Sequence, residues 1–241
     1  MYPTIDLRFS LRGTLIPADH AYLLYGAVSS LLPGLHDEEE QRRTAAKHPA
    51  APAPLGIHPI SGQLSGQRRL HLTKHSALTL RVPSGHIAPC LALAGQTLRL
   101  GPDTIIVGVP HIRILTAAPA LQSRLVIIKG ATTPEALLEK ARRDLAALGL
   151  TSPEVQAGIP LTQHSAPRDG GQGRPLPPDQ AAPPIRRTLR ISGREIIGFP
   201  LRITGLSAEE SLLLQARGLG GRRHFGCGIF LPVRETESNT P

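Results

Sequence analysis

The densest run of chemically useful residues in this 241-residue chain is the string GLGGRRHFGCGIF at positions 218–230. Five glycines, Gly218, Gly220, Gly221, Gly226 and Gly228, fall within eleven residues there, and Arg222, Arg223 and His224 stand among them. Glycine adopts positive φ without steric cost and lets backbone N–H groups approach a ligand closely. Guanidinium groups match the geometry of phosphate oxygens in pairs. Amides and two guanidiniums in one loop therefore suit a phosphodiester backbone. A tight turn with solvated arginines is the plainer account, and a glycine run alone leaves the two even. Its place between a helix end and the last strand, in a basic chain, favours the first.

The charge points the same way. Lys and Arg number 27 against 18 acidic residues, a formal net charge of +9. Such a chain favours a polyanion, and nucleic acid is the commonest one. Aromatic residues make up only 3% of the chain and Trp is missing, so a broad stacking platform is excluded. That weakens an ordinary RRM module, which stacks bases on paired aromatics of its central strands. Cys90 and Cys227 form no CxxC pair, which argues against a zinc ribbon or a disulfide framework. His48, His71, His75, His86, His111 and His164 show no metal-ligand spacing, and neither metal nor cofactor is expected. No apolar run is long enough to span a membrane, and the N-terminus alternates like a strand where a signal peptide would carry an apolar segment. A cytoplasmic protein is expected.

Several elements must position the loop. Residues 4–12 alternate Ile5, Leu7, Phe9 and Leu11 with polar neighbours, as a half-buried strand does. A helix follows, with Asp19 as N-cap and a stop at Pro33–Gly34. Residues 38–54 read as a loop; LGIHPIS, RRLHLTKH and ALTLRVP read as strands. A short apolar helix, HIAPCLALAG, and a strand pair around Gly101–Pro102–Asp103 complete the first half. The second half opens with a strand at 124–130 and a helix capped by Thr133 with Pro134 at N1. A Pro- and Gly-rich connection at 163–186 precedes a hairpin turning at Ser192–Gly193. A helix with the capping box Ser207–Glu210 and a closing strand, GCGIFLPV, end the pattern. Each half thus runs strand, helix, two strands, helix, strand. An α+β fold of two tandem ferredoxin-like (RRM-like) units is expected, at 1–116 and 117–241.

The glycine loop resembles that of the CRISPR-associated repeat-processing endoribonucleases of the RAMP superfamily. The stretches IPADHAYLLYGAVSSLLPGLH, LGIHPISG, SALTLRVP, LAGQTLRLG, VIIKG and GLSAEESLLLQARGLGG are similar to its MYXAN-type branch. The resemblance implies a RAMP-type enzyme that cuts precursor CRISPR RNA once within each repeat without a metal. The substrate's 2′-hydroxyl attacks the adjacent phosphate, leaving a 2′,3′-cyclic phosphate and a 5′-hydroxyl. The implied partners are repeat RNA and, beyond it, subunits of a type I interference complex.

Such chemistry needs a base, an acid and cations around the phosphate, and histidine titrates in the right range. The resemblance places a catalytic histidine at or just after the first helix, where His36 stands. Tyr25 on the helix is the candidate to orient a phosphate oxygen or the attacking hydroxyl. His20, at the helix start, is the rival histidine, and a helix N-terminus lowers a histidine's pKa. His58 joins the site if its strand lies beside the helix. The assisting lysine of the family has no clear counterpart, since Lys47 falls in the 38–54 loop. Arg222 or Arg223 would then supply the positive charge. Arg68, Arg69, Arg186, Arg187 and Arg190 are further candidates for an RNA track. A relative that has lost cleavage and only carries crRNA is the alternative.

Overall fold

The computed structural model describes residues 3–32, 55–150, 153–159 and 184–233. The alternating N-terminus forms β1 (Thr4–Arg12), which buries Ile5, Leu7 and Phe9 on one face. A short β2 (Leu15–Pro17) leads into α1 (Ala21–Leu31). Next come β3 (Gly56–Ile57), β4 (Gln63–Ser65), β5 (Arg69–His71) and β6 (Ala77–Pro83). The apolar helical segment is α2 (Ile87–Cys90) with a 3-10 turn on either side. The hairpin of β7 (Thr97–Leu100) and β8 (Asp103–Ile114) ends the first unit.

The second unit holds β9 (Leu121–Val126), α3 (Pro134–Ala147), β10 (Glu154–Ala157), β11 (Arg187–Ile191) and β12 (Arg194–Thr204). It finishes with α4 (Ala208–Arg217), a 3-10 turn at Arg223–Phe225 and β13 (Leu231–Pro232).

Sheet order makes the architecture explicit. The first sheet runs β3-β6-β1-β8-β7 and the second β10-β12-β9-β13, with β11 added to β12. In both, the first strand lies between the third and the fourth, with the second outside the third. That is the ferredoxin-like order, and it occurs twice in one α+β chain. A third small sheet, β2-β5-β4, flanks the first unit.

Local chemistry explains the helices. The Thr133 side chain accepts from the Ala136 N–H and Pro134 occupies the first turn of α3. Ser207 and Glu210 form the reciprocal capping box of α4. Helix α1 differs from expectation: its N-cap is His20, not Asp19, and no side chain caps it. The fully buried Leu24 and Val28 fasten it to the first core. Leu24→Ala would cost about 2–5 kcal/mol of stability.

Two apolar cores lie under the two sheets, and a third cluster joins them. The joining cluster packs Ala21 of α1 against Leu125, Ile127, Leu189, Phe225 and Cys227 of the second unit. Strand β6 is buried at every one of its seven residues. Leu78, Leu80 and Val82 fill the first core, so Thr79 and Arg81 take the opposite face, which the second unit covers. The connection between units is also held: Gln215 Nε2 donates to Thr116 O at 2.8 Å and the Ala118 N–H donates to Ser211 Oγ at 3.0 Å.

Two strands are shorter than the sequence pattern implies. The one expected at 124–130 ends at Val126, and the closing strand is only Leu231–Pro232. Residues 226–230 stay in the glycine loop, whose carbonyls and amides serve other partners. The loop expected at 38–54 lies outside the described residues, as does 163–183 of the later connection.

Candidate nucleic-acid interface and active site

The glycine loop is mostly an internal structure. Its amides at Gly218, Gly221, Gly226 and Gly228 donate to Leu214 O, Ile127 O, Arg223 O and Leu125 O respectively. Gly218, Gly220, Gly226 and Gly228 all have positive φ, between 63° and 80°. A Cβ at Gly228 would strike the Leu219 carbonyl, at Gly220 the Ile127 carbonyl, and at Gly226 the ring of Pro59. Gly221 donates its amide within the protein from an exposed position, whereas Gly218, Gly226 and Gly228 do so from the interior. These three are buried, and they let the loop fold against its own protein. Gly220, Gly221 and Arg222 form the exposed tip, and a Cβ at Gly221 would meet nothing.

The paired arginines part company. Arg222 is exposed, whereas Arg223 is only 6% exposed and donates from Nη2 to Gln215 O at 3.1 Å. Arg223, expected among the RNA contacts, faces the interior. The flexible-loop pattern hid this, because nothing in the RR dipeptide says which one turns inward.

Helix α1 lies against the loop. The Tyr25 ring centroid is 4.6 Å from that of His224 and 5.0 Å from that of Phe225, edge-on to the latter. Tyr22 is 6.1 Å from Phe225, and its hydroxyl accepts a 3.3 Å hydrogen bond from Ser192 Oγ at the β11–β12 turn. Tyr25 and His224, distant in sequence, thus share one surface with the loop tip. His36 lies outside the described residues, beyond the C-terminal end of the same helix.

His20 is differently placed from a titrating catalyst. It is 4% exposed; Nδ1 donates to Pro17 O at 3.0 Å and Nε2 accepts from the Ile60 N–H at 3.0 Å. Both ring nitrogens are thereby committed, and the neutral Nδ1–H tautomer is the one that fits. Burial holds its pKa below the usual histidine value, and the charge of Arg124 adds to this. The geometry makes it a tie between α1 and the segment after β3.

His58 is half-buried, with Nε2 3.4 Å from Asp6 Oδ1. Burial again lowers its pKa, while Asp6 opposes the shift. Asp6 receives a fork from Arg81, Nε to Oδ1 at 2.7 Å and Nη2 to Oδ2 at 2.8 Å. Burial opposes ionisation of Asp6, but the hydrogen bonds from Arg81 and the neighbouring His58 hold its carboxyl well below the usual carboxylate range. This cluster was not legible as a site, because Asp6 and Arg81 look like ordinary polar positions of alternating strands.

A basic surface lies on the second sheet, and Arg12, Arg99 and Arg113 are exposed on the first. Arg124 of β9 and Arg187 of β11 stand close enough to repel one another, with Asp19 near Arg124. Arg202 lies on β12, whose alternate residues Phe199, Leu201 and Ile203 fill the second core. Arg186 is exposed beside Arg187, and Arg68 is exposed in its turn. Arg69 instead pairs with Asp103, and Arg190 with Glu195 across the hairpin, so both are engaged within the protein. Cys227 is fully buried, and burial pushes its thiol up to about 12. No three His, Cys, Asp or Glu side chains gather as metal ligands would among the described residues. No described helix is long and apolar enough to cross a membrane.

Two ferredoxin-like units with a glycine loop ahead of the final strand define a protein of the RAMP type. The comparisons carry this further. The family model described as Cas6 Crispr matches residues 5–235. The CRISPR-associated endonuclease Cas6 of Myxococcus xanthus (strain DK1622) is 35% identical over 228 residues, covering 95% of this chain and 81% of that protein. Among solved structures, a RAMP protein described as binding different RNA substrates aligns with TM-score 0.59 and 13% identity, over 96% of this chain and 99% of the other. A Cas6-related protein from Pyrococcus furiosus aligns equally well, at TM-score 0.59 and 13% identity over 97% and 100%. The chain belongs to the Cas6 family.

Proposed function

We propose that this chain is an endoribonuclease that cuts precursor CRISPR RNA within its repeats to give crRNA. The observation that carries this is the family match over residues 5–235, in a chain whose first helix and glycine loop share one surface. On this reading residues 1–116 supply the catalytic histidine and residues 117–241 the RNA contacts. The RNA passes over Gly220, Gly221 and Arg222, beside Tyr25 and His224, and its phosphates meet Arg124 and Arg187. Arginine on a sheet face grips phosphates and sets register, while base contacts fix the cut.

The chemistry is transesterification. The 2′-hydroxyl loses a proton to a base and attacks the adjacent phosphorus, and the bond to the 5′-oxygen breaks as an acid protonates it. The products are a 2′,3′-cyclic phosphate and a 5′-hydroxyl, and no metal is required. His36 is the candidate acid or base, and Tyr25 the candidate to orient the reacting oxygens. Arg222 is the cation able to reach the transition state, since Arg223 is turned inward. The enzyme works in the cytoplasm, with repeat RNA as its partner and a type I interference complex as the destination of its product.

The test is cleavage of end-labelled repeat RNA from the host's array, in EDTA, with the product ends mapped. One cut per repeat with a cyclic-phosphate end is expected. Tight binding with no cut would replace this reading with that of a crRNA carrier.

A further inference from the structure

The SALTLRVP segment carries Arg81, which is 1% exposed and so out of direct reach of RNA. All three nitrogens of its guanidinium are nonetheless engaged. Nε and Nη2 fork onto Asp6, which stands directly opposite Arg81 in the β1–β6 register. The remaining group, Nη1, donates to Phe230 O at 2.7 Å and to Gln215 O at 3.2 Å. Gln215 lies in the last turn of α4, just before Gly218, and Phe230 lies just after Gly228. One cation from the first unit therefore holds the entrance and the exit of the glycine loop in the second. Arg223, inside the loop, donates to the same Gln215 carbonyl, so the two guanidiniums converge on one acceptor.

We propose that Arg81, aimed by Asp6, is a positioning residue that clamps both ends of the glycine loop and so sets where its exposed tip stands. The proposal takes from the functional reading only the identity of the loop's ligand. The clamp needs a planar fork with donors on two sides. A lysine ammonium is a point charge with three donors and cannot match two carboxylate oxygens and two carbonyls in fixed directions. Because Arg81 touches no surface, it acts on RNA only through the loop.

The two cysteines offer a direct readout in the full-length chain. Cys227 lies within the loop and Cys90 in α2 of the first core, and both are buried. Native-state alkylation with iodoacetamide, mapped by mass spectrometry, reports loop opening at Cys227 and global opening at Cys90. Arg81→Met should raise Cys227 labelling about tenfold or more beyond any rise at Cys90, which follows the global loss of the Asp6 pair; that excess is the size expected on losing a charge-assisted hydrogen bond. Arg81→Lys, which keeps a cation beside Asp6 and so guards against misfolding, should show the same selectivity at smaller amplitude. Equal acceleration at both cysteines, or none at Cys227 in either variant, overturns the clamp. In parallel, the Kd for labelled repeat RNA should weaken about tenfold in Arg81→Met, with the single-turnover rate at saturating RNA changed less than about threefold. Selective opening with unchanged RNA affinity would uphold the clamp and instead remove the RNA from this loop.

Discussion

The same strand order is built twice in this chain and used in opposite ways. In the first unit the sheet face away from the helices is covered along β6, which is buried throughout. Arg81, beside Asp6 and His58, meets the second unit there, while Ser10, Arg12, Arg99 and Ile106 farther across that face are exposed. In the second unit the corresponding face is covered only in part, by α1 and the joining cluster, and carries Arg124, Arg187 and Arg202. Both faces carry guanidinium, but at Arg81 the first supplies a carboxylate fork and two carbonyls in the interior. Charge on a sheet face becomes a fastener where partners and burial are provided, and a ligand contact where they are not. The neighbours Arg222 and Arg223 repeat this division within one loop, exposed tip against buried anchor.

The largest way to break the contrast is at Asp6. Asp6→Ala leaves Arg81 buried without its counter-charge and should cost about 3–5 kcal/mol in urea unfolding. A loss below about 1 kcal/mol would mean that the covered face is held by apolar contact alone.

The loop itself gives the next effect. Gly228→Ala meets the Leu219 carbonyl at positive φ and should cost about 3 kcal/mol or more, whereas Gly221→Ala in open space should stay within about 0.5 kcal/mol. Equal thermal shifts for the two would contradict the division of the loop into packed stem and exposed tip.

Histidine burial predicts a pH effect of definite sign. His20 is neutral in the folded state with a lowered pKa, so the unfolded chain takes up a proton first as pH falls. Its contribution is present above about pH 6.5 and fades below it, and His58 acts in the same direction. Asp6, with its pKa depressed, adds a second loss only as pH drops below about 4. Tm should therefore fall between about pH 7.5 and pH 5.5, and more shallowly in His20→Asn. A flat profile in the wild type would show that His20 is not held neutral.

The smallest expected changes in stability come from the open face. Arg124→Ala and Arg187→Ala should leave Tm nearly unchanged while each reduces the salt dependence of RNA binding by about 0.7 in the log–log slope. Destabilisation without a change in that slope would make the second face a fastener like the first.

Much of the fold was readable from pattern because each cue had a local cause. The alternation of Ile5, Leu7 and Phe9, the Thr133–Pro134 start and the Ser207–Glu210 box all act within one element. What stayed hidden depends on contacts between units. The surroundings of Arg223 and His20 depend on the Gln215 carbonyl and the Ile60 amide, which glycine spacing and helix position do not reveal. The Asp6–Arg81 pair is separated by 75 residues and gains meaning only when β1 and β6 lie side by side. Arg124 opens an apolar strand in the sequence, and its closeness to Arg187 and Asp19 arises only in the fold.

The central claim, cleavage by a histidine that follows α1 in the chain, is most directly tested with His36→Ala. Single-turnover cleavage of labelled repeat RNA would be followed at saturating protein, beside an affinity measurement on the same RNA. The account predicts a rate at least about a hundredfold below wild type with Kd unchanged within about threefold. A His36→Ala enzyme that still cuts at the wild-type rate would contradict it and move the proton transfer to another group.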